Sequence, residues 1–252
     1  MADALAAATH LVSTVAPHRL EVVEGGAPPP TPPPLDPVLS AVTDLSSLTP
    51  ALTWVAYVSS TSVYGAERGG AWVGEDDEVG PSTPAGSARV MAEAAWRDWA
   101  GGAGIPGAAF RAGGIYGPGR SALDIVASGG RPGRMRRGGE AEARKPTSRV
   151  HVADLARGIL AAARTPRPAQ QPDWRVYNAV DGDPAAREVM VAAARALLSG
   201  GEGVEEKEPD RVEPTTGKRV LGERFAALLA PEEGGLLYPS YQEGLAGILR
   251  GE

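Results

Sequence analysis

Short apolar runs alternate along this chain with segments of helical character, and this alternation narrows the fold class at once. The runs are bounded by polar or turn residues, as β-strands are. They cover residues 11–17, 53–58, 107–112, 148–152 and 174–179. Because strands with nearly unbroken apolar interiors are buried on both faces, the pattern predicts an α/β fold with a parallel sheet flanked by helices.

Helical segments follow most of these runs. They are predicted over residues 37–48, 86–100, 153–164, 219–230 and 239–249. A further helix is predicted from Asp183 as N-cap and Pro184 as first helical residue to a stop at Gly200, because these residue types favour those positions. Residues 27–37 contain seven prolines, which remove backbone donors and predict an extended segment.

The composition excludes several classes of protein. No run of about 18 apolar residues is present, and the N-terminus carries an acid where a signal peptide carries positive charge, so we expect a cytoplasmic chain without a membrane span. Zero cysteines exclude disulfides and thiolate metal sites, and the three scattered histidines, His10, His18 and His151, predict no metal site. The net charge of −6 argues against nucleic acid as a partner.

Four consecutive hydroxyl residues, from Ser59 to Ser62, follow the strand-like run 53–58. Ligands bind at the carboxyl ends of parallel strands, so these hydroxyls are candidates for hydrogen bonds to a ligand. They can equally satisfy backbone groups where the strand ends. The spacing alone leaves both interpretations open.

A cluster of glycines follows the strand-like run 107–112, where residues 113–120 read GGIYGPGR. Glycines at the end of a strand let the backbone approach a ligand closely. The same glycines can also form only a sharp turn. Both interpretations again stay open.

These two clusters belong to a longer series of segments through which the chain resembles the NAD-dependent epimerase/dehydratase family, the extended short-chain dehydrogenase/reductases, and more closely its atypical branch. The resemblance runs from about residue 8 to the C-terminus. The matching segments are SSTSVYG at 59–65, GGAWVGEDD at 69–77, GSARVMAEAAW at 86–96, FRAGGIYGPGR at 110–120, SRVHVADLARGI at 148–159, VYNAVDGDP at 176–184 and LLYPSYQEGL at 236–245. The resemblance implies a Rossmann-like fold and an oxidoreductase or epimerase that acts on a small or sugar-derived substrate.

The resemblance also implies catalytic residues, and two of them are replaced. In the family a strand-end serine polarises the substrate, and the tyrosine of a Tyr-x-x-x-Lys helix transfers the proton because the lysine lowers its pKa. The serine falls on Ser60, but the tyrosine and lysine positions hold Ala85 and Arg89, and no Tyr-x-x-x-Lys occurs elsewhere. An unassisted phenol is a poor base at neutral pH, and arginine stays protonated. We therefore expect impaired or absent catalysis, with Ser60, Arg89 and Tyr64 as the catalytic candidates.

The implied cofactor is NAD or NADP, yet the family's Gly-x-x-Gly-x-x-Gly turn, which holds the pyrophosphate at a helix N-terminus, is missing from the sequence. Gly102, Gly104 and Gly107 satisfy a G-x-G-x-x-G spacing, but they precede a strand instead of following one. What remains is the nicotinamide side of the site. Its implied residues are Ser13, Val15, Ala16, Ser59, Gly113, Gly114 and Ile115. We expect weak or lost binding of NAD(P).

The missing turn indicates that the family's first strands are absent, so that residues 11–17 correspond to its fourth strand. That strand would then form a sheet edge with unpaired backbone groups, which a protein partner or the proline-rich segment must cover. We predict a partial Rossmann-like domain over residues 1–184, with a substrate loop over 114–150, and a small C-terminal helical lobe over residues 185–252.

The remaining candidates concern the substrate, which we expect to be a small molecule or metabolite. They are Tyr116, Arg120 and Arg137, the last within a basic stretch, 131–149, where arginines would clamp a phosphate. A solvated basic loop is the alternative interpretation, Tyr64 and Tyr116 also read as packing residues, and His151 reads as structural. The alternative to an enzyme is a non-catalytic relative that binds a metabolite or another protein through the cleft or the edge strand.

Overall fold

The computed structural model describes residues 6–17, 36–41, 47, 49–129, 145–165, 173–200 and 215–252. The chain divides into two compact units, each made of three separate stretches of sequence. The first unit comprises Met1–Ala66, Glu75–Arg111 and Ile159–Tyr177, and the second comprises Glu67–Gly74, Ala112–Gly158 and Asn178–Glu252. Most of the proline-rich segment and most of the basic stretch, including Arg137, lie outside the described residues.

The described residues form ten strands and seven helices. The strands are β1 (His10–Ser13), β2 (Trp54–Ser60), β3 (Trp72–Val73), β4 (Gly107–Ala112), β5 (Gly114–Tyr116), β6 (Pro146–Thr147), β7 (Arg149–His151), β8 (Trp174–Ala179), β9 (Ala185–Ala186) and β10 (Arg219–Val220). The helices are α1 (Pro37–Ala41), α2 (Pro84–Gly102), α3 (Ala122–Ala127), α4 (Val152–Arg164), α5 (Arg187–Leu198), α6 (Glu223–Glu233) and α7 (Tyr241–Arg250).

The principal sheet has four parallel strands in the order β1, β2, β4, β8. β1 pairs with β2 from His10 beside Trp54 to Ser13 beside Tyr57. This sheet with its flanking helices confirms the predicted α/β class, and β4 and β8 have the bounds that the apolar runs predict. β1 is shorter than the predicted run, and it lies at the sheet edge, where no other strand of the described residues pairs with it.

Helix α2 packs on the central strand β2 in the first unit. Its start is fixed by Thr83, whose Oγ1 accepts a hydrogen bond from the Gly86 N–H at 3.1 Å, and by Pro84 at its first position. Trp96 of α2 is fully buried and stacks on Tyr57 of β2 with ring centroids 6.3 Å apart. Such an aromatic pair stabilises the fold by about 0.5–1.5 kcal/mol beyond its buried area. The packing holds α2 against the strand whose end carries the hydroxyl run.

The second unit contains three short two-stranded ladders. β5 pairs with β7 and β3 with β10, both in parallel, and β6 pairs with β9 antiparallel. The buried core of this unit joins α3, α5 and α7 through Leu123, Met190, Tyr241 and Leu245. Because these side chains come from three helices distant in sequence, the core depends on long-range packing.

The start of helix α5 differs from the prediction. Asp183 and Pro184 do not begin it, because Ala185–Ala186 form β9 and pair with Pro146–Thr147, and the helix begins only at Arg187. The local N-cap signal is thus overridden by a tertiary pairing that the local sequence does not reveal.

In the C-terminal part of the chain, two further helix limits agree with the prediction and one does not. Gly200, with a φ of 67°, follows the end of α5 as expected. Helix α7 matches the segment predicted over 239–249, and its N-cap Ser240 accepts a hydrogen bond from the Glu243 N–H at 3.3 Å. The helix predicted over 219–230 instead begins at Glu223, because the residues before it form β10 and pair with β3.

Candidate functional site

Two buried serine hydroxyls lie at the carboxyl ends of β1 and β2 in the first unit. Ser13 is paired with Tyr57 across the ladder, and Ser59 follows Tyr57 by two residues, so the three side chains share one face of the sheet. Ser13 is 3% exposed and Ser59 is 4% exposed, and neither Oγ has a hydrogen-bond partner among the described residues. An unsatisfied buried polar group costs about 1–3 kcal/mol, so these hydroxyls favour a polar ligand or water beside them.

Ser60 has a different environment from Ser59. It is half-buried and caps the 3-10 turn Thr61–Tyr64, where its Oγ accepts a hydrogen bond from the Ser62 N–H at 3.2 Å. The sequence left open whether the hydroxyl run satisfies backbone groups or meets a ligand. Ser60 does satisfy the backbone, but its hydroxyl proton stays available to polarise a substrate oxygen.

Arg89 reaches from α2 to the exit of β2. Its Nη1 donates to the Tyr57 hydroxyl at 3.1 Å and to the Val58 carbonyl oxygen at 2.8 Å. Burial raises the pKa of Tyr57 to about 12, although the charge of Arg89 and its hydrogen bond act in the opposite direction. The Tyr57 hydroxyl is therefore a neutral partner for the guanidinium. Ala85, one turn earlier at the position of the family's tyrosine, is exposed and offers no acid or base.

Tyr64 belongs to a buried ion-pair cluster in the same unit. Arg111 donates from Nη1 to the Tyr64 hydroxyl at 2.8 Å and from Nη2 to Glu93 Oε2 at 2.9 Å. Tyr64 is fully buried and Arg111 is 7% exposed. These contacts join the 3-10 turn, β4 and α2, so they favour a packing role for Tyr64 over a catalytic one.

The remaining cofactor candidates differ in exposure. Val15 and Ala16 are exposed beyond the end of β1. In the second unit a β-carbon at Gly113 would lie 2.5 Å from the Ser148 carbonyl oxygen, and the Gly114 N–H donates to that same oxygen at 2.9 Å. Gly113 therefore permits a close approach of its backbone to Ser148 and Arg149, at the start of β7, and not to a ligand.

Ile115, Tyr116 and Arg120, also in the second unit, differ in environment. Ile115 pairs with Val150 in the β5–β7 ladder. Tyr116 is 4% exposed, and a β-carbon at Gly244 of α7 would lie 2.7 Å from its Cε2 and closer still to its hydroxyl. Tyr116 thus packs on a helix backbone, which favours its packing interpretation. Arg120 is exposed and closes a turn with a backbone hydrogen bond of 3.0 Å to Gly117, while Arg137 lies outside the described residues.

The sequence analysis missed Asp181 of the second unit. Asp181 is 2% exposed, and its Oδ2 has no hydrogen-bond partner within the described ranges. Burial raises its pKa to about 7, against the opposing effects of the Asp183 N–H and the Arg149 charge. The signal that could have found it is its place directly after the apolar strand 174–179.

His151 of the second unit has the structural contacts that the sequence favours. Its Nδ1 accepts a hydrogen bond from the Ala153 N–H at 3.3 Å, and its ring lies edge-on to Tyr116 with centroids 5.2 Å apart. Burial lowers the pKa of His151, although the charge of Asp154 opposes this. Among the described residues, no cluster of side chains could hold a metal ion, and no helix is long and apolar enough to cross a membrane.

Solved structures similar to this chain show the same architecture. A functionally unknown conserved protein from Silicibacter pomeroyi DSS is 30% identical, with a TM-score of 0.66, and the match covers 96% of this chain and 77% of that one. A putative NAD-dependent epimerase/dehydratase from Methylobacillus flagellatus is 25% identical, with a TM-score of 0.56, over 84% of this chain and 70% of that one. MoeE5 in complex with UDP-glucuronic acid and NAD is 20% identical, with a TM-score of 0.65, and the match covers 99% of this chain and 80% of that one.

The family comparison agrees with the resemblance drawn from the segments. A comparison with curated proteins finds no match. The sequence model of the NAD-dependent epimerase/dehydratase family matches residues 42–179, which is more than half of the chain. This stretch includes the hydroxyl run, helix α2, and strands β4 and β8. The chain therefore belongs to the NAD-dependent epimerase/dehydratase family.

Proposed function

We propose that this protein binds NAD or NADP at the exit of β1 and β2, and that it recognises a small or sugar-derived substrate with impaired or no catalysis. One observation carries the proposal: two buried serine hydroxyls, which have no partner in the part of the chain that the structure describes, lie on the same sheet face as Tyr57, whose hydroxyl bonds to Arg89. A ribose or carboxamide group supplies the hydrogen-bond partners that such hydroxyls need. The cytoplasmic location stays a prediction.

The residues of this chain fit the nicotinamide end of the cofactor better than its pyrophosphate. Ser13 and Ser59 would bind polar groups of the nicotinamide ribose, and Arg89 would donate to a ribose hydroxyl. When bound, the cofactor supplies a hydride acceptor or donor. No glycine-rich turn is present in the sequence to hold the pyrophosphate, so we expect weak binding.

The substrate class is proposed from the complexes of similar folds. MoeE5 is described with UDP-glucuronic acid and NAD, and a UDP-glucuronic acid 4-epimerase from Bacillus cereus is described with the same two ligands. Both are 20% identical or less to this chain, so they support the fold, and a nucleotide sugar for this chain is our proposal.

The proton-transfer function is where we expect this chain to fail. Ala85 provides no phenol, Arg89 offers a guanidinium that is a poor proton acceptor, and Tyr64 is bound to Arg111 in the core. Ser60 alone can polarise a substrate oxygen but cannot accept the proton that oxidation of an alcohol releases. Binding of cofactor and substrate should therefore persist where turnover does not.

The proposal is tested by titrating NADH and NADPH into the purified protein and into Ser59→Ala, and by following tryptophan fluorescence. We expect saturable binding to the natural protein, weakened by about fivefold to tenfold in Ser59→Ala, because a buried hydrogen bond of about 1–1.5 kcal/mol is lost. Ser128→Ala is the matched control, because Ser128 is an exposed serine of the second unit. This variant should bind NADH and NADPH with the affinity of the natural protein. Absence of saturable binding, or equal affinities in both serine variants, would contradict the proposal.

A second candidate function is protein binding at the β1 edge. Val12 of β1 is 39% exposed, and no strand of the described residues pairs with the outer side of β1. An open, apolar sheet edge favours pairing with another strand. We propose a second copy of this chain as the partner, because two identical edges related by a two-fold axis pair antiparallel and satisfy each other's backbone groups.

A further inference from the structure

Arg89 is held at one nitrogen only. Both of its hydrogen bonds use Nη1, one to the Tyr57 hydroxyl and one to the Val58 carbonyl oxygen. Within the described residues, Nε and Nη2 have no hydrogen-bond partner. Because the guanidinium is planar, two acceptors on one nitrogen fix the plane of the whole group and leave its other N–H donors for a ligand.

Tyr57 is a rigid and neutral partner. Its side chain has no exposed surface, and its ring stacks on Trp96 with an interplanar angle of 19°. Its raised pKa keeps the phenol protonated throughout the physiological pH range, so Tyr57 carries no negative charge that would neutralise Arg89. Arg89 is thus oriented without being neutralised.

Arg111 provides the contrast within the same unit. Its charge is neutralised by Glu93, with which it forms a buried ion pair at 2.9 Å. Within the described residues, no ion pair joins Arg89 to a carboxylate, and the buried Asp36 accepts hydrogen bonds at Oδ1 from the Val38 and Leu39 N–H groups. Among the described residues, a neutral hydroxyl and a neutral carbonyl are the only groups that bind Arg89, and neither neutralises its positive charge.

We propose that Tyr57 is a positioning residue, which holds the Arg89 guanidinium in place for an oxygen acceptor of the bound dinucleotide. This inference rests on the proposed function, because the ligand is the cofactor proposed there. The inference adds Tyr57 to the residues of the cofactor site. Tyr57 belongs to no Tyr-x-x-x-Lys pattern, and the sequence alone indicates only an aromatic residue of a buried strand.

The first experiment needs no ligand. In 15N-detected NMR of the arginine side chains, the pinned Nη1 of Arg89 should rotate slowly in the natural protein and rapidly in Tyr57→Phe, a variant that removes one oxygen and retains the stacked ring. Arg89→Met assigns the signal. An Arg89 signal that is unchanged in Tyr57→Phe would overturn the proposal that the Tyr57 hydroxyl holds the guanidinium in place.

The second experiment measures NADH affinity in a double-mutant cycle. We expect Tyr57→Phe to weaken binding about threefold to tenfold in the natural protein and to have no further effect in the Arg89→Met background. A merely structural role would weaken binding equally in both backgrounds, and that result would overturn the proposal. Tyr177→Phe is the matched control, because Tyr177 is a buried tyrosine of β8, and the NADH affinity of this variant should be unchanged.

The two experiments separate the inference from the proposed function. If the natural protein binds no NADH and the slow Arg89 signal is lost in Tyr57→Phe, the proposed function is overturned and the positioning role of Tyr57 is supported. A protein that binds NADH equally well with and without the Tyr57 hydroxyl would retain the proposed function and overturn the inference.

Discussion

At the scale of single residues, the first unit uses arginine in two ways. Arg111 is buried in an ion pair with Glu93 and joins elements of the core. Arg89 bonds only to neutral groups at a strand exit, as far as the described residues extend. A guanidinium with a neutralised charge stabilises packing, whereas one that keeps its charge attracts an anion or a hydroxyl oxygen. The partner, and not the residue type, separates the two roles.

Asp181 in the second unit predicts a dependence of stability on pH. Burial raises its pKa from the ordinary 3.8 to about 7, so the folded state binds the proton more tightly than the unfolded state. The stability that this proton contributes is fully present below about pH 4 and is lost as the pH rises through about 7. The whole effect is at most roughly 4 kcal/mol. Urea unfolding between pH 4.5 and pH 8 measures it.

Asp181→Asn should remove this part of the pH dependence, because an amide has a similar shape and does not titrate. Asp98→Asn is the control, because Asp98 is an exposed aspartate of the first unit that does not act on Asp181, and it should leave the slope as it is. Parallel stability curves for the natural protein and Asp181→Asn would show that Asp181 does not titrate in this range.

At the scale of elements, glycines in helices let aromatic rings of the second unit pack against helix backbones. Gly244 of α7 receives Tyr116, Gly247 of α7 receives Tyr238, and Gly158 of α4 receives Phe225, whose rings occupy the space of the missing β-carbons. Helix glycine is unfavourable by about 1 kcal/mol relative to alanine, so its presence in a helix needs a packing reason. Here the rings of Tyr116, Tyr238 and Phe225 provide it.

Gly244→Ala should therefore destabilise the protein, by about 1–3 kcal/mol, because the new methyl group overlaps the Tyr116 ring. Tyr116→Leu, which shortens the side chain, should partly restore stability when combined with Gly244→Ala. Thermal and urea unfolding of the two single variants and the double variant give the coupling energy. Gly101→Ala is the control, because no atom lies within 4 Å of its added β-carbon, and it should be neutral or slightly stabilising.

The elements also show what the sequence can predict. β4 and β8 have their predicted bounds because a buried strand is a contiguous apolar run. The start of α5 was predicted wrongly because the pairing of β9 with Pro146–Thr147 is not local. The strand-end rule made Ser59 a candidate, and the family resemblance implied both Ser13 and Ser59 as cofactor residues, which stay predictions. Neither could identify the bond between Arg89 and Tyr57, which depends on how α2 packs across the sheet.

At the scale of the whole molecule, the sheet is open on the side of β1 within the described residues. The proposed second copy predicts that the natural protein is a dimer and that Val12→Lys is a monomer, because a lysine charge on an edge strand opposes pairing. Light scattering after size-exclusion chromatography measures both masses. Thr14→Lys, at an exposed residue just beyond β1, is the control and should remain dimeric. A monomeric natural protein would contradict the proposed dimer.

The two units alternate along the chain in six stretches, and the last of the first unit's stretches is Ile159–Tyr177. That stretch begins β8, the strand beside β4, and carries Trp174, whose ring covers Gly107. During synthesis, β4 therefore follows β2 out of the ribosome but precedes its other neighbour, β8, by about 60 residues. Until β8 is made, one edge of β4 has no strand to pair with, and an unpaired apolar edge promotes aggregation of a nascent chain.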